Sequence, residues 1–367
     1  MATNQPVHIN RWLLPLSWLY GLIIFFRNKF FDWGIFKQEE YEIPIICVGN
    51  ITVGGTGKTP HTEYLVNLLH KKYRVAVLSR GYKRKTNSFV LATDNSTSSD
   101  IGDESYQIKQ KYSDIIVAVD ADRRRGIHNL LSLEKPPQVI ILDDAYQHRY
   151  VKPSFSIILS NYYRPMYHDK LLPAGRLRES VSYTSKANMI IITKCPEELK
   201  PIDYRIMSHD INPYPFQDVF YTSYAYRSLY KVFGLMDCMS IDFLMKKHIL
   251  LVTGIASPDM IIEKLAHYTD KVDVMAYADH YNFKKTDIKD IQDRFESIKA
   301  KNKIILVTEK DAARLVQRTD IDETIKDHIY SLPVDVIFTD MTSEKLFKNK
   351  ILQHVREYSR NRSIYPK

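Results

Sequence analysis

The stretch Pro44-Ile45-Ile46-Cys47-Val48-Gly49-Asn50-Ile51-Thr52-Val53-Gly54-Gly55-Thr56-Gly57-Lys58-Thr59-Pro60 decides the fold. An apolar run enters a glycine-rich turn, the turn ends in Lys-Thr, and a helix-compatible pattern follows. The order is strand, phosphate-cradling loop, helix. Glycines let backbone N–H groups converge on anionic oxygens, and the helix N-terminus adds partial positive charge. Thr52, Val53, Gly54, Gly55, Thr56, Gly57, Lys58 and Thr59 are therefore the expected nucleotide-binding residues. Lys58 would reach the β- and γ-phosphates, and the Thr59 hydroxyl would take a place on Mg²⁺. The usual G-x-x-x-x-G-K-[ST] pattern has glycine where this chain has Thr52.

Outward from this loop, apolar runs alternate with helix-length segments. Strands are expected at Ile45–Val48, Arg74–Ser79, Ile115–Val119, Val139–Leu142, Phe155–Leu159 and Met189–Thr193, and helices at Lys58–His70, Gly102–Lys111 and Arg123–Leu133. Continuous rather than alternating apolar strands imply a parallel sheet covered on both faces. The fold class is α/β, a P-loop NTPase-like doubly wound parallel sheet with its crevice at the strand C-termini. Prolines 196, 201, 213 and 215 mark a change of regime. A smaller α/β set follows, with strands Ile249–Val252, Val272–Ala276, Ile304–Thr308 and Val334–Phe338. The expected division is an N-terminal membrane-associated helix (1–36), a P-loop domain (37–218), a connector (219–248), a smaller α/β domain (249–342) and a C-terminal helix and tail (343–367).

The chain has 367 residues and a net charge of +9, with Cys47, Cys195 and Cys238 far apart. Such a balance suits nucleic acid, an anionic membrane face or a phosphorylated substrate, and charge alone does not choose among them. The aromatics are not interleaved with basic residues in one tract, so no RNA- or single-strand-binding signature is present. Cysteine spacing implies neither a disulfide framework nor a zinc site. Trp12 to Phe26 reads WLLPLSWLYGLIIFF between Arg11 and Arg27. About fifteen apolar residues fall short of the roughly twenty that span a bilayer. Flanking Trp, Tyr, Arg and Lys suit a helix lying in the membrane interface, with a buried core helix as the competing reading.

Asp143 and Asp144 end an apolar strand, where phosphate-loop enzymes carry their Mg²⁺-coordinating carboxylate; a turn that simply favours Asp competes with that reading. Asp103-Glu104 sits at a probable helix start, where acids also serve as caps. Basic residues cluster at Arg80, Lys83–Lys85, Arg123–Arg125, Arg176 and Arg178. Most are expected to be solvated surface charge. Arg176 and Arg178 differ, because their Gly- and Pro-punctuated loop suits two-point phosphate binding. Asp279-His280 ends a strand-like run and could be a carboxylate–imidazole pair.

Together GNITVGGTGKTP (49–60), SRGY (79–82), GDE (102–104), LDDAYQH (142–148), LLPAGRLRE (171–179), TGIASP (253–258), ADHY (278–281) and TEKDAAR (308–314) resemble the tetraacyldisaccharide 4′-kinase family. The resemblance implies transfer of the ATP γ-phosphate to the 4′-hydroxyl of a tetraacylated glucosamine disaccharide 1-phosphate, giving lipid IVA in lipid A biosynthesis. It implies ATP and Mg²⁺ as cofactors, with Lys58, Thr59, Asp143 and Glu104 around phosphates and metal. Asp103 would be the base, tuned by His280, and Arg176 would assist phosphate or substrate binding. The implied partners are an acylated disaccharide lipid and the cytoplasmic face of the bacterial inner membrane, with peripheral or monotopic attachment. No nucleic acid and no protein partner is expected. The family's loop likewise lacks the first glycine. Departures are Ala145-Tyr146 for its Gly-Phe, Tyr281 for a second His and Ser105 for its Pro. The alternative is a membrane-tethered P-loop GTPase or metallochaperone switch. Against it, Thr193-Lys194-Cys195-Pro196 begins a guanine-reading [NT]-K-x-D element and ends in proline.

Overall fold

The computed structural model describes residues 9–364, except 83, 85, 235–237, 256, 257 and 280. His280, Lys83 and Lys85, all singled out above, therefore lie outside the described residues. The elements run α1 (Leu14–Asp32), β1 (Ile45–Gly49), α2 (Lys58–Leu69), β2 (Val75–Ser79), β3 (Val90–Leu91), α3 (Ser98–Ile101), α4 (Asp103–Lys111), β4 (Ile116–Val119) and α5 (Arg123–Leu131). There follow β5 (Val139–Asp143), β6 (Phe155–Asn161), β7 (Met189–Thr193), α6 (Pro201–Ile211), β8 (Asp218–Ala225), β9 (Ser228–Lys231) and β10 (Cys238–Ser240). The remainder is β11 (His248–Thr253), α7 (Asp259–Leu265), β12 (Val272–Ala276), α8 (Lys285–Ser297), β13 (Lys303–Thr308), α9 (Glu309–Leu315), α10 (Glu323–Lys326), β14 (Ile329–Leu332), β15 (Asp335–Phe338) and α11 (Met341–Ile364).

The chain divides into two compact units. The first holds residues up to Ser96, Ile108–Tyr224 and the chain from Val336; the second holds Thr97–Gln107 and Ala225–Asp335. In the first, a nine-stranded sheet has the order β15-β8-β7-β6-β1-β5-β2-β4-β3. β1 lies parallel between β5 and β6, and only the short β3 is antiparallel to its neighbour among the registers described. Alternate residues of β1 serve opposite layers, as a pleated strand requires. Ile45 and Cys47 join Ile127 and Leu130 of α5 and Met207 of α6. Ile46 and Val48 join Leu65, Val66 and Leu69 of α2 and Phe347, Ile351 and Val355 of α11. Each such side chain contributes about 1.5–3 kcal/mol by leaving water. The sheet is thus covered on both faces, as the unbroken apolar strands require.

The grouping differs from the linear division expected: Thr97–Gln107 joins the second unit, and the stretch expected as a connector at 219–248 is divided, with β8 in the first sheet and β9 and β10 in the second. The segment from 343 is part of α11, whose apolar stripe is buried in the first unit. The strand expected at Val334–Phe338 belongs to the first sheet as β15, and Ile329–Leu332 supplies the second sheet instead. Pro333 accounts for the break between the two: it cannot donate to a ladder, so it cuts one apolar run into two strands.

In the second unit a six-stranded sheet has the order β10-β9-β14-β13-β11-β12. β14, β13, β11 and β12 are parallel, and the β9–β10 hairpin closes one edge antiparallel. Ile288, Ile291 and Phe295, at helical spacing on α8, pack with Leu250, Val252, Ile305 and Val307. No described helix is long and apolar enough to cross a membrane.

Candidate active site

The loop after β1 has the form anticipated from its glycines. Gly54 (φ 113°) and Gly57 (φ 85°) are in the left-handed region. Gly57 is doubly constrained, since a Cβ there would lie 2.0 Å from the Tyr224 hydroxyl. The loop is strapped by residues distant in sequence. The Val53 N–H donates to the Arg176 carbonyl at 2.8 Å, and the Arg178 N–H donates to that of Ile51 at 2.7 Å. Thr193 Oγ1 donates to the Thr56 carbonyl at 2.9 Å. Asn50, wholly buried, is the hub. Its Nδ2 donates to Thr56 Oγ1 at 2.7 Å, its Oδ1 accepts from Arg178, and its carbonyl accepts from Gln147 Nε2 at 2.5 Å.

Beneath the first turn of α2, His61 is buried with Nδ1 at 2.7 Å from the Gly57 carbonyl and Nε2 at 3.0 Å from Thr222 Oγ1. A carbonyl can only accept, so Nδ1 carries the proton and Nε2 accepts from the hydroxyl. Burial pushes this ring down to about 4, so it is neutral near pH 7.

Lys58 opens α2 with its ammonium 3.7 Å from Asp144 Oδ2, and Arg178 Nη2 lies 3.2 Å from Asp144 Oδ1. Burial pushes the Asp144 carboxyl up, but Lys58, Arg178 and Arg123 outweigh it and hold the group below its usual range. Asp144 takes the left-handed backbone (φ 48°), so the turn's conformational demand falls there and not on Ala145. Asp143 is buried at the tip of β5, where Oδ1 accepts from Thr62 Oγ1 at 3.0 Å. Arg123, expected at the surface with its two neighbours, is buried instead and donates to the Asp120 carbonyl at 2.8 Å. Burial lowers it to about 10 and the charges of Asp144 and Asp143 oppose that, so it remains a cation beside them. Three consecutive arginines look alike in sequence; only their placement on α5 separates one from the others.

The Arg176 guanidinium approaches the loop, 3.8 Å from where a Gly54 Cβ would stand. Its segment rests on α1. Ser17 Oγ donates to the Leu171 carbonyl at 2.9 Å, Tyr20 Oη donates to that of Arg178 at 3.0 Å, and Arg27 pairs with the buried Glu179 at 2.9 Å. The outward face of α1 carries Leu16, Trp18, Leu19, Leu22, Ile23, Phe25 and Phe26, all exposed.

Asp103 and Glu104 belong to the second unit, where four motifs far apart in sequence converge. Arg314 Nε and Nη2 both donate to Asp103 Oδ2, at 2.8 and 2.7 Å. Arg314 Nη1 reaches Asp311 Oδ1 at 3.0 Å, and Asp311 Oδ2 accepts from the Gly254 N–H at 2.9 Å and Thr308 Oγ1 at 2.7 Å. Lys310 lies 3.2 Å from Asp279 and 3.8 Å from Glu104. Arg314, Lys310, Asp311 and the hub residue Asn50 carry no individual signal in the sequence, although all four lie within the quoted motifs.

Among the described residues no three His, Cys, Asp or Glu side chains form a metal cluster. The donors at hand are hard oxygens, the Asp143 carboxylate and the Thr59 hydroxyl at the start of α2. That set fits Mg²⁺, which keeps several waters and is held by one or two carboxylates plus substrate phosphates.

The sequence model of a family described as tetraacyldisaccharide-1-P 4′-kinase matches residues 9–356. A Bacteroides fragilis protein named tetraacyldisaccharide 4′-kinase is 48% identical over 98% of this chain and 97% of its own length. A Bacteroides thetaiotaomicron protein of the same name is 46% identical over 98% of this chain and 96% of its own. The solved structure of Aquifex aeolicus LpxK in complex with ATP superposes with a TM-score of 0.72 at 28% identity, covering 94% of this chain and 98% of that one.

Proposed function

Because the chain belongs to the tetraacyldisaccharide-1-P 4′-kinase family, we propose that it transfers the γ-phosphate of ATP, bound at the glycine loop, to the 4′-hydroxyl of a tetraacylated glucosamine disaccharide 1-phosphate. The product is lipid IVA, a lipid A precursor. The observation that carries this reading is the loop itself: left-handed glycines, Lys58 opening α2, and Asp144 beside Lys58 at the end of the neighbouring strand.

Phosphoryl transfer asks the protein for positioning and charge neutralisation more than covalent chemistry. Lys58 neutralises charge on the transferring group, the amides of residues 54–59 hold the phosphates, and Arg176 adds a guanidinium from the strap over the loop. Asp144, held ionised, keeps Lys58 aimed while the phosphate site is empty. Thr59, Asp143 and Glu104 would hold Mg²⁺, which supplies charge neutralisation when bound. Asp103 would take the proton of the 4′-hydroxyl, oriented by the two N–H groups of Arg314, with His280 tuning it.

The enzyme would work at the cytoplasmic face of the inner membrane. In support, α1 turns its polar side to the 171–179 strap and its apolar side outward, with Trp18 76% exposed and Trp12, in the turn before the helix, 93% exposed. A helix of this kind lies in the interface with its apolar face among the acyl chains. The acceptor's acyl chains could then stay in the bilayer.

The test incubates the full chain with γ-labelled ATP, Mg²⁺ and tetraacyldisaccharide 1-phosphate in detergent micelles. Label in the glycolipid is expected. Label found only as free phosphate would overturn the reading.

A further inference from the structure

Lys194 has no part in the scheme above, yet its backbone and its side chain both mark it. Among the described residues four non-glycines have positive φ: Asp144, Lys194, Asn212 and Lys246. Asn212 caps the C-terminus of α6, an ordinary place for that conformation. Asp144 and Lys194 instead each follow directly on a strand, β5 and β7, at the carboxyl ends where α/β folds bind ligands. Asp144 uses its unusual backbone to face Lys58 of the glycine loop. Lys194 (φ 59°) does the equivalent from the other flank. Its ammonium lies 3.8 Å from where a Gly55 Cβ would stand, and 6.0 Å from the centre of the Tyr224 ring.

Asn and Asp tolerate the left-handed region because a short polar side chain can bond locally; lysine has no acceptor and gains nothing of that kind. A conformation that its own residue does not favour persists because surrounding structure demands it, and such outliers gather at functional sites. The neighbours point the same way. Thr193 ties the strand end to the Thr56 carbonyl, and the Tyr224 hydroxyl stands against Gly57. Lys194, Thr193 and Tyr224 therefore buttress one stretch of loop, Gly55 to Gly57. The loop already carries Lys58, and a second ammonium against its glycines adds to the attraction for an anion such as a nucleotide's phosphate tail.

We infer that Lys194 is a positioning residue of the nucleotide site, one that holds the glycine loop in the shape that receives the phosphate tail and adds positive charge beside it. The inference rests on the assignment of ATP to this loop. It also gives a use to the Thr193-Lys194 pair that the incomplete guanine-reading element left unexplained. With Pro196 in place of a base-reading carboxylate, the lysine serves phosphate binding and not base choice.

The experiment titrates ATP and ADP into the full chain by calorimetry, for wild type and for Lys194→Met, Lys194→Arg and Lys194→Gly, with melting temperatures and steady-state transfer measured in parallel. Lys194→Met keeps the stem and loses the charge. It should weaken ATP and ADP about tenfold and raise KM for ATP similarly, while kcat at saturating ATP stays within about twofold. Lys194→Arg should recover most of the affinity. Lys194→Gly relieves the backbone, so it should melt no lower than wild type and still bind as weakly as the Met variant. Wild-type ATP affinity in Lys194→Met would overturn the inference. So would a lower melting temperature in both Met and Arg variants with affinity unchanged per folded molecule, since that marks a purely structural lysine. Failure of the wild type to bind ATP would instead remove the assignment on which the inference stands.

Discussion

Two pairs of adjacent carboxylates, Asp143–Asp144 and Asp103–Glu104, are handled differently by the two units. In the first pair the members part company. Asp143 goes down into the sheet to the Thr62 hydroxyl, while Asp144 turns through a left-handed backbone to Lys58 and Arg178. In the second pair both members meet cations from one short helix, since Lys310 and Arg314 stand four residues apart on α9. Behind Arg314, buried Asp311 anchors the guanidinium to the Gly254 amide. The first arrangement leaves a strand-end acid beside an anion-binding loop; the second clamps its acids into a network. A site that must receive a phosphate and a cluster that must hold an orientation call for these different solutions.

The largest expected effect separates the two directly. Lys58→Ala should lower transfer by about 10³-fold, the scale of removing a preorganised charge partner from a developing anion. Its melting temperature should stay close to that of the wild type, as read by thermal melts beside the label-transfer assay. Arg314→Ala should do the reverse at the level of stability. It takes the guanidinium away from Asp311, which is fully buried, and so should cost roughly 3 kcal/mol in denaturant unfolding. Replacing Asp311 as well, in Arg314→Met with Asp311→Leu, should restore much of that loss, because a buried pair exchanged for apolar packing is often neutral.

The contrast between these two networks also marks how far the sequence could be read. The strand, loop and helix at 44–69 are consecutive, so their identity follows from local pattern, and the acids of β5 follow from the alternation that makes β5 a neighbour of β1. The partners of Asp103 are different. Arg314 is 211 residues away, and no periodicity connects it to the start of α4. Burial of Arg123 among three arginines, the hub at Asn50 and the reassignment of β15 to the first sheet share that cause. Each depends on tertiary placement that a linear pattern does not encode. The motif resemblance pointed to Asp103 and Glu104 without revealing which cations hold them.

Acid should also discriminate between the units. His61 and His148 are held down to about 4 by burial, against an ordinary value of 6.5. The unfolded chain therefore binds these protons first, so the stability of the first unit should be flat above about pH 6.5 and fall as pH drops from 6.5 towards 4. A loss on the order of 2–3 kcal/mol for each ring over that window is expected. Asp311 has the opposite sign, because burial holds its carboxyl above the usual range. Its contribution is present in full below the unfolded value of 3.8 and is lost as pH rises through the folded value. Hydrogen exchange at pH 7 and pH 5 should show protection falling in β1 and α2 before β11 and β13.

The smallest effect concerns α1, where the polar side is tied to the strap carrying Arg176 and the apolar side is exposed. Trp18→Ser should weaken binding to anionic vesicles by about 1–2 kcal/mol, the value of one large apolar side chain, with melting unchanged. Vesicle flotation of the two proteins reads this directly.

The central claim, that phosphate from ATP reaches one particular sugar hydroxyl, is tested most directly by phosphorus–proton correlation NMR of the reaction product. A new phosphorus signal coupled to the proton on C4′ of the distal glucosamine is predicted, alongside the original 1-phosphate. A product phosphorylated elsewhere, or a glycolipid left unchanged while ADP accumulates, would contradict it.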